Sequence, residues 1–318
     1  MRLVFMGTGE IALPSLRWLI ETQESLGCEI VGVYTQPDKP IGRKQILTPP
    51  EVKVLAEAAG IPIFQPDTLR KNEVAVSEFT DLQPDLAVVM AYGQILPKAV
   101  IDAPTVACVN LHASLLPRHR GASPIQAAIR DGDTETGITL MHVVPKLDAG
   151  DMILKETLPI EPTDTGGFLH DKLADLGPVL LEHGLPRLLS GDFTSEPQDD
   201  ALVTYSGKLE RDHGHLDWSQ DAETLESLIR AYDPWPGTYS LIDVGDGPKK
   251  LKIFPQTSPG DFSDLPPGSV MSTTTGLQIS CRSGSLILNG EIQLEGKKRL
   301  PVSEWMRGAQ IPPSTILK

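Results

Sequence analysis

Along the first third of the chain, apolar runs at residues 3–6, 29–34, 85–91 and 106–111 alternate with polar and glycine-rich stretches. None of the runs keeps a strict apolar–polar alternation, so each reads as a strand covered on both faces. That is the pattern of a parallel sheet between two layers of helices. Gly7-Thr8-Gly9 turns the first run into a helix, residues 52–59 form another that Gly60 ends, and residues 61–64 make a short edge-like strand. Ser123 as N-cap, Pro124 at the first helical position and an Ile125/Ala128/Ile129 stripe predict a helix that stops before Gly132. Residues 137–144 are then a strand, so a strand–helix–strand crossover returns the chain to the sheet edge it left. Leu169, Leu173, Leu176 and Leu180 recur at helical spacing behind a Thr163-Asp164-Thr165 cap, which marks a core-facing helix. Beyond a polar, acidic stretch at 191–200 the pattern changes. A helix at 224–231 precedes short strands at 239–244, 250–254, 277–281, 286–288 and 292–294, spaced as in a small barrel. These boundaries predict a catalytic domain over 1–190, a linker over 191–206 and a smaller domain over 207–318.

A chain of 318 residues is long enough for two cores. Its three cysteines, Cys28, Cys108 and Cys281, are far apart and lack metal-type spacing, so they read as free thiols of a reducing compartment. The first residues are too short an apolar stretch for a signal peptide and no later run could span a bilayer, which predicts a cytoplasmic location. A net charge of −14 excludes a generic nucleic-acid coat. The charge is uneven, however: residues 1–204 carry −12 and residues 205–318 only −2. An anionic partner would meet local patches such as Lys39/Arg43/Lys44, Lys249/Lys250/Lys252 or Lys297/Lys298/Arg299.

The candidate chemistry centres on residues 106–118. In the predicted strand Asn110 and His112 share a face, at the carboxyl end where open α/β sheets bind ligands. A core histidine satisfied by a neighbouring asparagine is the plain alternative. The returning strand ends in the turn-rich loop Pro145-Lys146-Leu147-Asp148-Ala149-Gly150-Asp151, which brings a carboxylate towards the same crevice. Gly7-Thr8-Gly9-Glu10-Ile11-Ala12 fits the G-x-G-x-x-A form of the dinucleotide fingerprint and leaves an NAD(P)-dependent oxidoreductase open as a reading. The acid that should follow the second strand is displaced into a proline-rich loop at Asp38, so the plainer reading is a tight turn in a doubly wound, mostly parallel Rossmann-like sheet. The pair His213/His215 lacks further ligands, and no metal is expected.

Three stretches, Asn110-Leu111-His112-Ala113-Ser114-Leu115-Leu116-Pro117, Arg120-Gly121-Ala122-Ser123-Pro124-Ile125-Gln126 and Leu147-Asp148-Ala149-Gly150-Asp151, resemble the formyltransferases that use 10-formyltetrahydrofolate. Residues 35–43, 90–97 and Asp233-Pro234-Trp235-Pro236-Gly237-Thr238 extend the likeness along most of the chain, towards the branch that formylates methionyl-tRNA. The resemblance implies catalytic roles for Asn110, His112 and Asp148. It implies a folate slot formed by Tyr92, Gly93, Gln94, Ile95 and Leu96 with Ser114, Leu115, Leu116 and Pro117. It also implies contacts from Lys39, Arg43 and Lys44 to the acceptor end of initiator tRNA, and an OB-like barrel for the last domain. The donor would be 10-formyltetrahydrofolate and the enzyme a monomer. Where the family has proline, this chain has Gly9, and past Arg43 it is less basic, with Lys44-Gln45-Ile46. A small amine in place of methionyl-tRNA as acceptor stays open at this point.

Overall fold

The computed structural model describes the chain except residues 43, 246, 273–275, 309–310 and 312–314, and the side chain of Ser272. Two compact units result, one of residues 1–121, 136–158 and 170–206, the other of residues 122–135, 159–169 and 207–318.

In the first unit β1 (Arg2–Gly7) leads to α1 (Leu13–Thr22) and β2 (Glu29–Tyr34), followed by an exposed hairpin of β3 (Lys39–Ile41) and β4 (Ile46–Thr48). Then come α2 (Glu51–Ala58), β5 (Ile63–Phe64), α3 (Glu73–Asp81), β6 (Leu86–Met90), α4 (Lys98–Ile101), β7 (Ala107–His112) and the two-residue β8 (Arg120–Gly121). The chain passes through α5 (Pro124–Arg130), returns as β9 (Glu135–His142) and β10 (Met152–Pro159), and continues through α6 (Gly166–Ser190) to β11 (Tyr205–Ser206).

Seven strands form one sheet in the order β10-β9-β7-β6-β1-β2-β5. The five from β7 to β5 are parallel. Every side chain of β6 is buried, as a strand covered on both faces requires. From β1 the chain moves outward through β2 to β5, then crosses to the other side for β6 and β7. Such a reversal, here at β1 and β6, is the place beyond the carboxyl ends of the strands where open α/β sheets bind ligands. Gly7 closes β1 because a Cβ there would lie 2.7 Å from Phe5 Cε1 and 3.1 Å from the Met90 carbonyl oxygen. Gly9 has φ −67°, within the range that proline fixes.

Two local expectations come out differently. The passage through α5 does return to the edge beside β7, but β9 runs antiparallel to it. The helix between them is part of the second unit, and an antiparallel return is not the crossover that joins parallel strands. Ser123 precedes α5 as expected, yet its side chain makes no capping hydrogen bond.

All three cysteines are free. Burial pushes the Cys108 thiol up to about 12 and that of Cys281 up to about 11. In native protein at pH 8, iodoacetamide should therefore label the half-buried Cys28 first. Cys108 and Cys281 should label only after denaturation, as peptide mass spectrometry would read directly.

The second unit contains α7 (Ala222–Ala231), then β12 (Thr238–Asp243), β13 (Pro248–Ile253), β14 (Thr257–Gly260), β15 (Val270–Ser272), β16 (Leu277–Ser280), β17 (Ser285–Leu288), β18 (Glu291–Leu294), β19 (Leu300–Pro301) and α8 (Val302–Gly308). Its strands form two four-stranded sheets, β12-β13-β18-β19 and β14-β17-β16-β15, with antiparallel pairing throughout. Leu225 and Ile229, one turn apart on α7, are buried in the same core as Ile242, Leu251, Ile279 and Leu286. Among the described residues no helix is long and apolar enough to cross a membrane.

Candidate active site

Strand β7 carries Asn110 and His112 on one face, since side chains alternate along a strand. In register, Asn110 lies beside Val89 of β6 and Met141 of β9, and His112 beside Thr139 of β9. Asn110 is half-buried, and none of the described residues hydrogen-bonds its amide. His112 is only 6% exposed, and its Nε2 lies 2.9 Å from the main-chain oxygen of His119. A carbonyl oxygen can only accept, so Nε2 carries a proton there. The ring nitrogen without that bond is Nδ1.

Asp148 comes to that atom from the loop after β9. Its Oδ2 is 3.8 Å from His112 Nδ1, an ion-pair distance too long for a hydrogen bond. The same oxygen accepts the Gly121 N–H at 2.8 Å. The carboxylate is thus held by the main chain of β8 beside the ring. His112 Nδ1 and the Asn110 amide are left to serve a third group, which suits an oxygen acceptor on a bound molecule. Asp148, distant in sequence, thus comes to the end of β7 that carries Asn110 and His112.

The stretch 191–206 also bears on this site. Gln198 donates from Nε2 to the main-chain oxygens of Asp148 and Gly150, both at 2.8 Å, and its Oε1 accepts from Arg120 Nε at 2.8 Å. Thr204 Oγ1 accepts the His119 N–H at 2.8 Å, fixing the residue whose carbonyl orients His112. Sequence reasoning missed Gln198 and Thr204. Their partners lie 50 and 85 positions away, and a polar residue in a polar stretch carries no local sign of such a bond.

Of the other candidate residues, Tyr92 buries its ring in the core, and its main-chain oxygen accepts from Thr8 Oγ1 at 3.0 Å and Gln36 Nε2 at 3.2 Å. The Gln94 side chain ties down a neighbouring loop, accepting from Leu69 N and donating to the Pro66 oxygen, each at 2.9 Å. Gly93 has φ +79°, Ile95 is exposed, and Leu96 packs against the core. Ser114 is buried and donates to the Arg118 oxygen at 2.7 Å. Leu115 and Pro117 are half-buried, while Leu116 packs with Met141 and Met152. Lys39 and Lys44 are exposed on the β3–β4 hairpin, and Arg43 lies outside the described residues. Ile41, Ile46 and Leu47 are exposed on the same hairpin. His213 Nδ1 accepts the Glu210 N–H, and His215 bonds the Lys318 oxygen and stacks on Tyr239.

Residues 1–185 match the family model described as formyl transferase, and residues 208–310 match the model of the formyl transferase C-terminal domain. The chain belongs to the formyl transferase family. The methionyl-tRNA formyltransferase of Citrifermentans bemidjiense is 46% identical, with 100% of this chain and 96% of that protein aligned. That of Akkermansia muciniphila is 48% identical over 97% and 96% of the two chains. Among solved structures, an N-formyltransferase from Helicobacter canadensis in complex with folinic acid and dTDP-3-aminofucose superposes with a TM-score of 0.65. It is 16% identical and covers 90% of this chain and 98% of its own. HypX from Aquifex aeolicus in complex with tetrahydrofolic acid gives a TM-score of 0.60 at 20% identity, covering 98% of this chain and 48% of that one. At such identities the structures share the fold. Membership of this formyltransferase family sets aside the oxidoreductase reading: the glycines at 7 and 9 serve a strand-to-helix turn.

Proposed function

We propose that this formyltransferase moves a formyl group from 10-formyltetrahydrofolate to the α-amine of methionyl-tRNA, with Asn110, His112 and Asp148 as catalytic residues. The observation that carries the chemistry is the approach of Asp148 to 3.8 Å from a His112 ring whose Nε2 is already committed. The donor supplies an electrophilic formyl carbon, and attack by the amine places negative charge on the formyl oxygen. With an ordinary pKa of about 7.7, a useful fraction of α-amine is neutral at pH 7, so no strong base is required. The demand falls on the developing oxyanion. Asn110 Nδ2 donates to it, and His112 donates from Nδ1 in its doubly protonated form. Asp148 stabilises that cation and holds the proton that passes from the attacking nitrogen to N10 as the old C–N bond breaks.

The folate slot is assigned to Tyr92, Gly93, Gln94, Ile95 and Leu96 with Ser114, Leu115, Leu116 and Pro117, main-chain groups doing most of the recognition where side chains are buried. Lys39, Arg43 and Lys44 are assigned to tRNA, and the apolar hairpin tip beside them supports contact with unstacked bases. The names of the relatives support methionyl-tRNA over a small amine. Residues 1–190 are read as the catalytic domain, 191–206 as the linker and 207–318 as an OB-like tRNA-binding domain, the last supported by its short antiparallel strands around one core. The protein is taken to be a cytoplasmic monomer.

The decisive assay incubates pure protein with 10-formyltetrahydrofolate and either charged initiator tRNA or free small amines, then follows release of tetrahydrofolate. Turnover with methionyl-tRNA alone is expected, with tRNA affinity falling steeply as salt is added. Formylation of an aminosugar nucleotide and none of methionyl-tRNA would reverse the acceptor assignment.

A further inference from the structure

We infer that Gln198 is a positioning residue that fixes the Asp148 carboxylate, with Arg120 setting the orientation of its amide. This rests on the catalytic assignment of Asp148 proposed above.

Asp148 sits at φ +47°, in the left-handed region that a residue with a side chain adopts only when its surroundings impose it. Those surroundings are specific. One amide nitrogen, Gln198 Nε2, spends both hydrogens on the main-chain oxygens of Asp148 and Gly150, which straddle the turn at Ala149. The other end of the amide faces Arg120 Nε at 2.8 Å. A guanidinium can only donate, so the atom it meets is the amide oxygen and the nitrogen must face the two carbonyls. Arg120 is itself 1% exposed. Its Nη2 reaches Asp200 at only 3.5 Å, and its buried Nη1 has no hydrogen-bond partner. A buried cation with an idle donor is an expensive way to hold one glutamine. The arrangement makes sense if the glutamine's orientation matters beyond stability.

The two grips are complementary. Gly121 N, next to Arg120, holds the carboxylate oxygen, while Gln198 holds the main chain from which that carboxylate springs. Together they fix the oxygen relative to His112 Nδ1. Gln198 touches no reacting atom and acts through Asp148 alone.

Gln198→Glu is the informative variant. It keeps the side-chain volume and an acceptor for Arg120, but turns a carboxylate oxygen towards two carbonyls. The loss of a donor to two main-chain carbonyls should lower thermal stability. In protein shown to be folded, KM for both substrates should move less than about twofold, while kcat should fall about 10- to 100-fold through misplacement of the carboxylate. In the Asp148→Asn background the same change should cost nothing further, because its only route of action is gone. Gln198→Met, which removes the donors without adding charge, should repeat the result if the charged variant folds poorly. Wild-type kcat in a folded Gln198 variant would overturn the inference. So would a double variant slowed by the product of the two single effects, which marks an independent structural role. Failure of the function proposed above has a different signature, either a wild-type protein that does not formylate methionyl-tRNA or an Asp148→Asn variant at full speed.

Discussion

On the proposed assignment, alanine in place of Asn110 should lower kcat for formyl transfer by about 10²- to 10³-fold, the usual loss when one preorganised oxyanion donor is removed. The folded protein barely notices. Asn110 is half-buried with no hydrogen bond from its amide to any described residue, so truncation strands no partner and costs about 1 kcal/mol or less of stability. KM for the folate donor should change little, because the role proposed for the amide is to bind charge that exists only once the nucleophile has attacked. His112→Ala is a less clean test. It also removes the bond to the His119 oxygen and leaves that buried carbonyl unsatisfied, mixing a structural loss into the kinetic one. Steady-state kinetics on Asn110→Ala beside a melting curve therefore isolate the oxyanion contribution. A kcat within threefold of wild type at unchanged Tm would take Asn110 out of the mechanism.

The parts of this molecule legible in the sequence are those set by local periodicity. β1, β2, β6 and β7 announce themselves because a doubly covered strand must be apolar on both faces, and no other element of five or six residues looks like that. Asn110 and His112 stand out for the same reason: they are polar where such a strand should be apolar. Asp148 could be placed only by following the chain around to the neighbouring strand, and there the route was right in destination and wrong in direction, since β9 is antiparallel. Short strands with mixed faces, such as β14 with Thr257, Ser258 and a proline, give no periodic signal and were not read. The Gln198 and Thr204 contacts are illegible on different grounds. They join a side chain to a distant main-chain atom, and the main-chain partner imposes no residue type that the sequence could display.

The site also explains where the chain tolerates no extra atom. Gly150 lies two residues beyond Asp148, and a Cβ there would fall 1.8 Å from the His142 main-chain oxygen and 2.8 Å from its carbonyl carbon. Neither atom can step aside, because His142 ends β9 and its N–H is bonded to the Asp151 oxygen at 3.0 Å. Gly150→Ala must therefore move the loop itself, breaking the Gln198 bonds to Asp148 and Gly150 together. The expected stability cost is about 3 kcal/mol, the upper end for overpacking. Displacing the carboxylate by an ångström adds a loss in kcat of about 10²-fold or more in whatever protein remains folded. Gly132→Ala serves as the control. It meets nothing within 4 Å but has φ +75°, so its only penalty is the left-handed backbone, about 1–2 kcal/mol, with kcat unchanged. Two glycine-to-alanine changes whose costs to folding differ by only about 1–2 kcal/mol would then differ by orders of magnitude in turnover. Equal kcat values for the two variants would mean that the 142–151 loop does not place the catalytic carboxylate.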